Sequence, residues 1–434
     1  MKHINKIVWV CGAAAVVIAA AGLFFVMNNM DGEELKSRDG VLDLVIGTYG
    51  DFVYHYQFNC ETMEFALAGK AEAADASYAL AEYSMEPGSG NPSGKYNIYA
   101  VSEVGAGSGV YSFECQSGNE LTIRKTAERR QSGADPCFIM LYDMEGSGIS
   151  TGGQAKGDDR DQRSKAEKPE GNGADYMLTA DYSGGSISVF PIVKGKVEDR
   201  CDQLCFEGSG PVSGRQESSH IHQLRLLPKQ EEWNDDYILA TDLGADMIRL
   251  IYIGSVFSEM KGNQVMLTHV DDIPCPEGSG PRHMEFSPDG KMMYCLAELS
   301  GEVLVYEITR NEGMPSLNLV QQIQADEVNA SGSADIHIHP SGKWLYTSHR
   351  LDNDGIAIFR IKPDGQLEKT GYCRTSRHPR NFMITPDGDF LLVACRDDRL
   401  IQTFRIGQNG NLTPTSAILQ FENDMPSSIT AINR

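Results

Sequence analysis

Residues 281–308, PRHMEFSPDGKMMYCLAELSGEVLVYEI, read as strand, Pro-x-Gly turn, strand, short polar turn, strand. The reading recurs at 333–361, SADIHIHPSGKWLYTSHRLDNDGIAIFRI, and at 379–406, PRNFMITPDGDFLLVACRDDRLIQTFRI. Four shorter copies keep the central part: 42–58 (LDLVIGTYGDFVYHYQF), 97–115 (NIYAVSEVGAGSGVYSFEC), 175–191 (DYMLTADYSGGSISVFP) and 236–253 (DYILATDLGADMIRLIYI). The turn prolines Pro288, Pro340 and Pro386 lie 52 and 46 residues apart. A four-stranded repeat of that length marks a propeller blade. The strands alternate and are rich in Val, Ile, Tyr and Phe, and no long stretch after the N-terminal segment has helical period. The expected fold is all-β: a seven-bladed β-propeller over 41–434, its ring closed by a last strand near Ser428–Ile432 that completes a blade with the N-terminal strands.

Residues 7–27, IVWVCGAAAVVIAAAGLFFVM, carry no charge; Lys2 and Lys6 precede them and Asp31, Glu33 and Glu34 follow. Basic flank, apolar run and acidic flank predict a leader helix over 1–27, with an exported, periplasmic remainder. The run is long enough to span a bilayer, and Ala19-Ala20-Ala21 also suits signal cleavage, so membrane anchor and cleaved signal peptide both stand, the anchor favoured. A linker, 28–40, follows. Residues 144–174, polar, charged and Gly-rich, cannot bury a core and read as a loop inserted in one blade. Nine cysteines lie outside the leader; most read as buried thiols. A net charge of −22 opposes a broad surface for nucleic acid or anionic membrane, without forbidding a small basic pocket.

Aligning the copies turns the repeat into a ruler. Six residues before the turn proline, or its equivalent, stand Cys137, His222, Arg282, Ala334 and Arg380; ten after it stand Glu298, Arg350 and Arg396. The strand matching the 222 copy ends near Asp242. The start of a first strand and the end of a second are neighbours at the open end of one hairpin. All these positions should therefore face one mouth of the channel. Imidazole, carboxylate and guanidinium groups converging there suit proton transfer on an anionic substrate. Strict alternation turns His283 away from the channel, opposite Arg282. His337 and His339 share a strand face, but no third metal ligand accompanies them. Asp242 and Asp246 also suit turn caps.

Ile46-Gly47-Thr48-Tyr49, Asp181-Tyr182-Ser183-Gly184-Gly185-Ser186 with Val189-Phe190-Pro191, Asp242-Leu243-Gly244-Ala245-Asp246, Gly280-Pro281-Arg282-His283, Ala297-Glu298-Leu299-Ser300 and Ala334-Asp335-Ile336-His337-Ile338 appear in this order. In order and spacing the chain resembles, over about 42–432, the lactonase family of seven-bladed propellers. That family includes propeller-type 6-phosphogluconolactonases and fungal carboxy-muconate lactonising enzymes. The resemblance implies a site of His222, Arg282, Glu298 and Arg350. It departs at Pro136-Cys137-Phe138, where the family often has Pro-Cys-His, and at Asp181-Tyr182, usually Asn-Tyr.

The expected activity is hydrolysis of a sugar lactone. His222 is the expected base on water, oriented by Glu298 as its acid/base partner. Arg282 would stabilise the oxyanion, and Arg350, with Arg380 and Asp242, would bind the substrate; no metal or other cofactor is required. The expected partner is an anionic small molecule, a sugar lactone or sugar acid, with no nucleic acid, and with a membrane met only through the N-terminal segment. Because 6-phosphogluconolactone is cytoplasmic, an exported domain favours a different sugar lactone. Two alternatives stand: a muconate-type cycloisomerase, and a non-catalytic ligand- or protein-binding propeller.

Overall fold

The computed structural model describes residues 40–432 except 86–91, 117–121, 131–132, 145–174, 230–234, 259–261 and 312. The expected leader, nearly all of the linker and almost the whole 144–174 loop lie outside the described residues. Among the described residues no helix is long and apolar enough to cross a membrane.

Seven antiparallel sheets form the blades. Their inner strands are Met425–Ala431 (blade 1), Tyr78–Met85 (blade 2), Pro136–Tyr142 (blade 3), Ile221–Leu226 (blade 4), Pro281–Phe286 (blade 5), Ser333–Ile338 (blade 6) and Pro379–Ile384 (blade 7). Each inner strand packs on the next around the ring. The ring closes where Met425–Ala431 pairs with Val41–Tyr49, Ile429 opposite Ile46. Closure leaves no inner sheet edge open for pairing with another chain.

The middle strands are buried on both faces, which is why they read as apolar runs rather than clean alternations. In Met292–Ala297 of blade 5, Met293, Cys295 and Ala297 pack with Leu239 and Leu250 of blade 4. The intervening Tyr294 and Leu296 pack with Leu345, Ala357 and Phe359 of blade 6. One strand thus cements two interfaces, the period of two dividing its side chains between them. Leu296 is fully buried, so cutting it to alanine should cost about 2–5 kcal/mol. Cys115, Cys137, Cys275, Cys295 and Cys395 are buried free thiols.

The Pro-x-Gly turns have a packing reason. Gly290 and Gly342 have φ of 68° and 69°, a region that disfavours a side chain, and a Cβ on either would press on the turn proline of the preceding blade, Pro228 or Pro288. Tyr294 and Tyr346 add a latch of the same period: each donates its hydroxyl hydrogen at 2.8 Å to a carbonyl in the next blade, Gly365 and Gly410.

Blade 3 departs from the pattern. Its outer edge is split into Lys196–Val197 and Asp202–Cys205, both paired to Ser186–Val193. An irregular segment, 206–220, then crosses to the channel mouth. It lies so close over Gly244 that a Cβ there would collide with the Ser218 carbonyl.

Candidate active site

A one-residue bulge opens every inner strand except that of blade 2. The register shifts across Cys137 in blade 3, His222 in blade 4, Arg282 in blade 5, Ala334 and Asp335 in blade 6, Arg380 in blade 7 and Ser427 in blade 1. Apart from Ser427 and Asp335, these are the residues that the ruler picks out six before the turn. A bulge re-aims the extra side chain and ends the ladder, so these groups leave the sheet and gather at the mouth.

The bulge also alters alternation. His283 does not turn away from Arg282. It is buried, its Nε2 lies 3.2 Å from Arg282 Nη1, and its ring sits 5.1 Å from that of His222. The extra residue in the strand resets the period of two.

A second ring of positions follows from backbone bonds between the end of each second strand and the segment before the inner strand. Glu298 N donates to Gly280 O, Arg350 N to Gly332 O, Arg396 N to His378 O, Leu243 N to His220 O, Tyr182 N to Asp135 O, and Glu103 N to Asp75 O. The blade 4 equivalent of Glu298 is therefore Leu243, one residue past Asp242. Asp242 is fully buried and bonded to Ser219 Oγ (2.7 Å), His220 N (2.8 Å) and the Arg249 Nη2 (2.7 Å). It braces the turn and the 206–220 segment and presents no carboxylate oxygen to a substrate. Asp246 does similar work, accepting from Gly278 N at 2.6 Å and Gly280 N at 2.7 Å.

Glu298 sits at the centre. Its oxygens lie 2.7 Å from Arg282 Nε, 3.2 Å from Arg350 Nη2 and 2.6 Å from Arg215 Nη2. Burial alone would raise its carboxyl, but the Arg350, Arg282 and Arg215 guanidinium groups outweigh it and hold the pKa at about 2. Glu298 is thus held ionised near neutral pH. The Arg282 contact is electrostatic: Nε is close to Oε2, yet its N–H is not directed at it.

Arg350 divides its fork between its own blade and its neighbours, with Nη1 3.5 Å from His378 Nε2 and Nη2 paired with Glu298. Nε donates to Gly332 O at 2.9 Å and Nη2 to Ser333 O at 3.5 Å. Burial pushes its pKa down to about 9 despite Glu298, with Arg282 and Arg380 adding repulsion. Arg380 is freer. It has a 3.6 Å ion pair with Glu103 and lies over the Tyr49 ring at 5.1 Å, with no hydrogen bond to another described residue. Glu103 is held by Tyr49 Oη at 2.6 Å and Ser77 Oγ at 2.7 Å.

His222 is 5% exposed, with Tyr182 and His283 edge-on at 5.6 and 5.1 Å. Its buried Nδ1 has no hydrogen-bond partner. Burial, then the positive fields of Arg282 and its neighbours, push its pKa well below 6.5, so the ring is neutral and can accept a proton.

Arg215, Tyr49, Tyr182 and Glu103 complete the mouth. Tyr49, Glu103 and Tyr182 stand where Glu298 stands in blade 5, in copies without the turn proline from which the ruler counts. Arg215 belongs to no strand. The segment that bears it is pinned by Gln216, whose Nε2 donates to Leu243 O and to Asp246 Oδ1, both at 2.8 Å.

Deeper in the channel, His337 bridges Asp335 (3.1 Å) and Glu285 (3.0 Å), and Glu285 pairs with Arg225 (2.8 Å). His339 bonds instead to Ser341 Oγ and Gly388 O, so the two histidines do not share a site. With both ring nitrogens on carboxylates, His337 is an imidazolium. Burial opposes that charge, but Asp335 and then Glu285 raise its pKa to about 10. A raised folded-state pKa stabilises fully below the ordinary 6.5 and is lost as pH climbs through 10. Denaturant midpoints of the wild type should therefore fall across that window more than those of His337→Gln, and parallel curves would contradict the pairing.

Seven blades around a guanidinium-lined mouth define a class of propeller enzyme scaffold. The chain belongs to the family described as lactonase, 7-bladed beta-propeller, whose model matches residues 162–428. The 6-phosphogluconolactonase of Formosa agariphila is 37% identical over 237 residues, 53% of this chain and 63% of that protein, a little under two thirds of its length. That of Pectobacterium carotovorum is 30% identical over 267 residues, 60% of this chain and 73% of that protein. A solved candidate 6-phosphogluconolactonase from Bacteroides fragilis superposes with a TM-score of 0.74 at 33% identity, covering 92% of this chain and 99% of its own. The Pseudomonas aeruginosa periplasmic gluconolactonase shares the fold, with a TM-score of 0.67 at 21% identity over 91% of this chain and 99% of its own.

Proposed function

We propose that this protein hydrolyses the lactone of an anionic sugar acid, of the 6-phosphogluconolactone type, at this mouth. One observation carries the reading. Four guanidinium groups (Arg215, Arg282, Arg350, Arg380) face two carboxylates (Glu103, Glu298), four minus two leaving a surplus of two positive charges in a chain of net charge −22. Such a surplus in a concave, partly dry site attracts an anion. The names of the relatives support the lactone.

In the proposed reaction the neutral His222 ring takes a proton from water. The hydroxide adds to the lactone carbonyl, and the oxyanion forms against the Arg282 Nη2, which has no other hydrogen-bond partner among the described residues. Collapse breaks the ring C–O bond, and the leaving oxygen takes the proton from His222. A bound anion offsets the guanidinium fields that depress His222, so the base strengthens when substrate is present. Glu298, anionic down to about pH 2, trades no proton near neutrality; it holds Arg215, Arg282 and Arg350 in place. Arg380 and the outer face of Arg215 are the anchors for the substrate's charge. The leader pattern supports a periplasmic, exported location, attached or cleaved, which puts non-phosphorylated sugar lactones among the substrates.

The test is a panel of 6-phosphogluconolactone, other sugar lactones and a muconate, assayed with the full-length protein. At least one anionic or sugar lactone should turn over well above the buffer rate, with inhibition by the matching acid that weakens as salt rises. Conversion of the muconate alone would favour a cycloisomerase. Binding of acids with no turnover of any lactone would leave a ligand-binding propeller.

A further inference from the structure

Arg282 is weakly restrained for a group that must meet an oxyanion. Its Nε is close to Glu298 but not aligned with it, so that contact pulls without fixing direction. The directional restraints fall on Nη1, which contacts Ala334 O and lies 3.2 Å from His283 Nε2. The second contact is attractive only if His283 Nε2 bears a lone pair. An N–H there would face another N–H and drive the guanidinium off.

Among the described residues His283 has one other polar contact. Its Nδ1 lies 2.7 Å from Asp335 Oδ1. A carboxylate only accepts, so Nδ1 bears the hydrogen and Nε2 the lone pair. Asp335 is firmly set. It accepts from Phe382 N (3.1 Å), Ile336 N (3.0 Å) and the Asn381 side chain, while its own N donates to Ser348 Oγ (3.0 Å). His337, cationic, faces its other oxygen at 3.1 Å and keeps it ionised. Burial and Arg282 hold His283 at about 4, so it stays neutral at working pH. The bulge at Arg282 makes the arrangement feasible by turning neighbours 282 and 283 to one side.

We propose that His283, locked in the Nδ1–H form by Asp335, is a positioning residue that holds the Arg282 guanidinium where the oxyanion develops. The proposal rests on the lactonase reading for its kinetic arm but not for its spectroscopic one. His283 touches no reacting atom; it acts through Arg282.

Two substitutions divide the imidazole. His283→Asn keeps a donor near Nδ1 for Asp335 and loses the acceptor for Arg282. His283→Gln puts an amide oxygen near Nε2 and loses the bond to Asp335. Both should melt within a few degrees of each other. On the best lactone, His283→Asn should lower kcat by roughly 10²-fold with little change in KM, the effect of a small displacement of a reacting group, while His283→Gln stays several-fold closer to wild type. Ring ¹⁵N spectra of histidine-labelled full-length protein, assigned by loss in these variants, should show His283 with Nδ1 protonated and Nε2 bare. A protonated Nε2, or equal kinetic loss in the two variants tracking their melting, overturns the proposal. If the wild type turns over no lactone, the reaction assignment fails by itself. The spectrum then decides the tautomer, and weaker binding of 6-phosphogluconate in His283→Asn than in His283→Gln decides the hold on Arg282, equal binding refuting it.

Discussion

His222→Ala should lower lactone turnover by roughly 10²–10⁴-fold, the range lost with a general base, and leave the propeller folded. The two halves of that expectation have separate grounds. The imidazole is the neutral acceptor at the mouth whose Nδ1 bonds to nothing in the protein. Its removal therefore leaves no partner orphaned. Burial and the nearby cations penalise only the protonated ring, so at neutral pH the neutral imidazole contributes no ion pair whose loss would destabilise the fold. Only edge contacts with Tyr182 and His283 are lost, a packing change of about 1 kcal/mol. Steady-state kinetics beside thermal melting checks both halves. Unchanged turnover would remove His222 from the role of base, and a loss of activity matched by a collapse in melting would make it structural.

Glu298→Ala should be the most destabilising change at the mouth, about 3–5 kcal/mol, because it leaves buried guanidinium groups facing one another without their anion. Arg282 and Arg350 dominate that figure, their side chains being 3% and 7% exposed. Arg215 is 36% exposed, and solvent screens its share. Sulfate or phosphate should stabilise the variant more than the wild type, since an anion binding only the folded state stabilises it by mass action and the variant's mouth lacks the Glu298 carboxylate that competes with it. The acid limb separates them as well. A carboxyl held at about 2 contributes stability above its ordinary 4.5, and that contribution fades as pH falls towards 2. The wild type should lose stability over that interval more steeply than Glu298→Ala. Urea titrations at several pH values read this directly; a variant as stable as wild type would mean that the three arginines do not depend on Glu298.

The ruler drawn from the turn prolines reached His222, Arg282, Glu298, Arg350 and Arg380 because each copy obeys the same spacing. It slipped by one in blade 4, where the longer hairpin hid the register and Asp242 stood in for Leu243. That slip matters chemically: Asp242 is spent on Ser219, His220 and Arg249. The ruler stopped short of Tyr49, Glu103 and Tyr182 because their copies lack the proline from which it counts. It could not reach Arg215, which lies between blades on a segment without period. His283 was turned the wrong way by strict alternation, for a bulge inserts one residue without disturbing the run of apolar side chains that betrays a strand.

By itself, then, the sequence determined the architecture: short alternating strands, turn glycines that only a bare backbone accommodates, and a unit repeated until a ring could close. These are local properties, set by each residue's own backbone preference and the face on which it is buried. Only the tertiary structure decided which side chains meet. Glu298 is an anion rather than an acid, Asp335 dictates the form of His283, and Arg215 closes on the mouth, because groups from segments dozens of residues apart share one poorly solvated space. There each charge is set by its neighbours, and no spacing along a single chain records that sum.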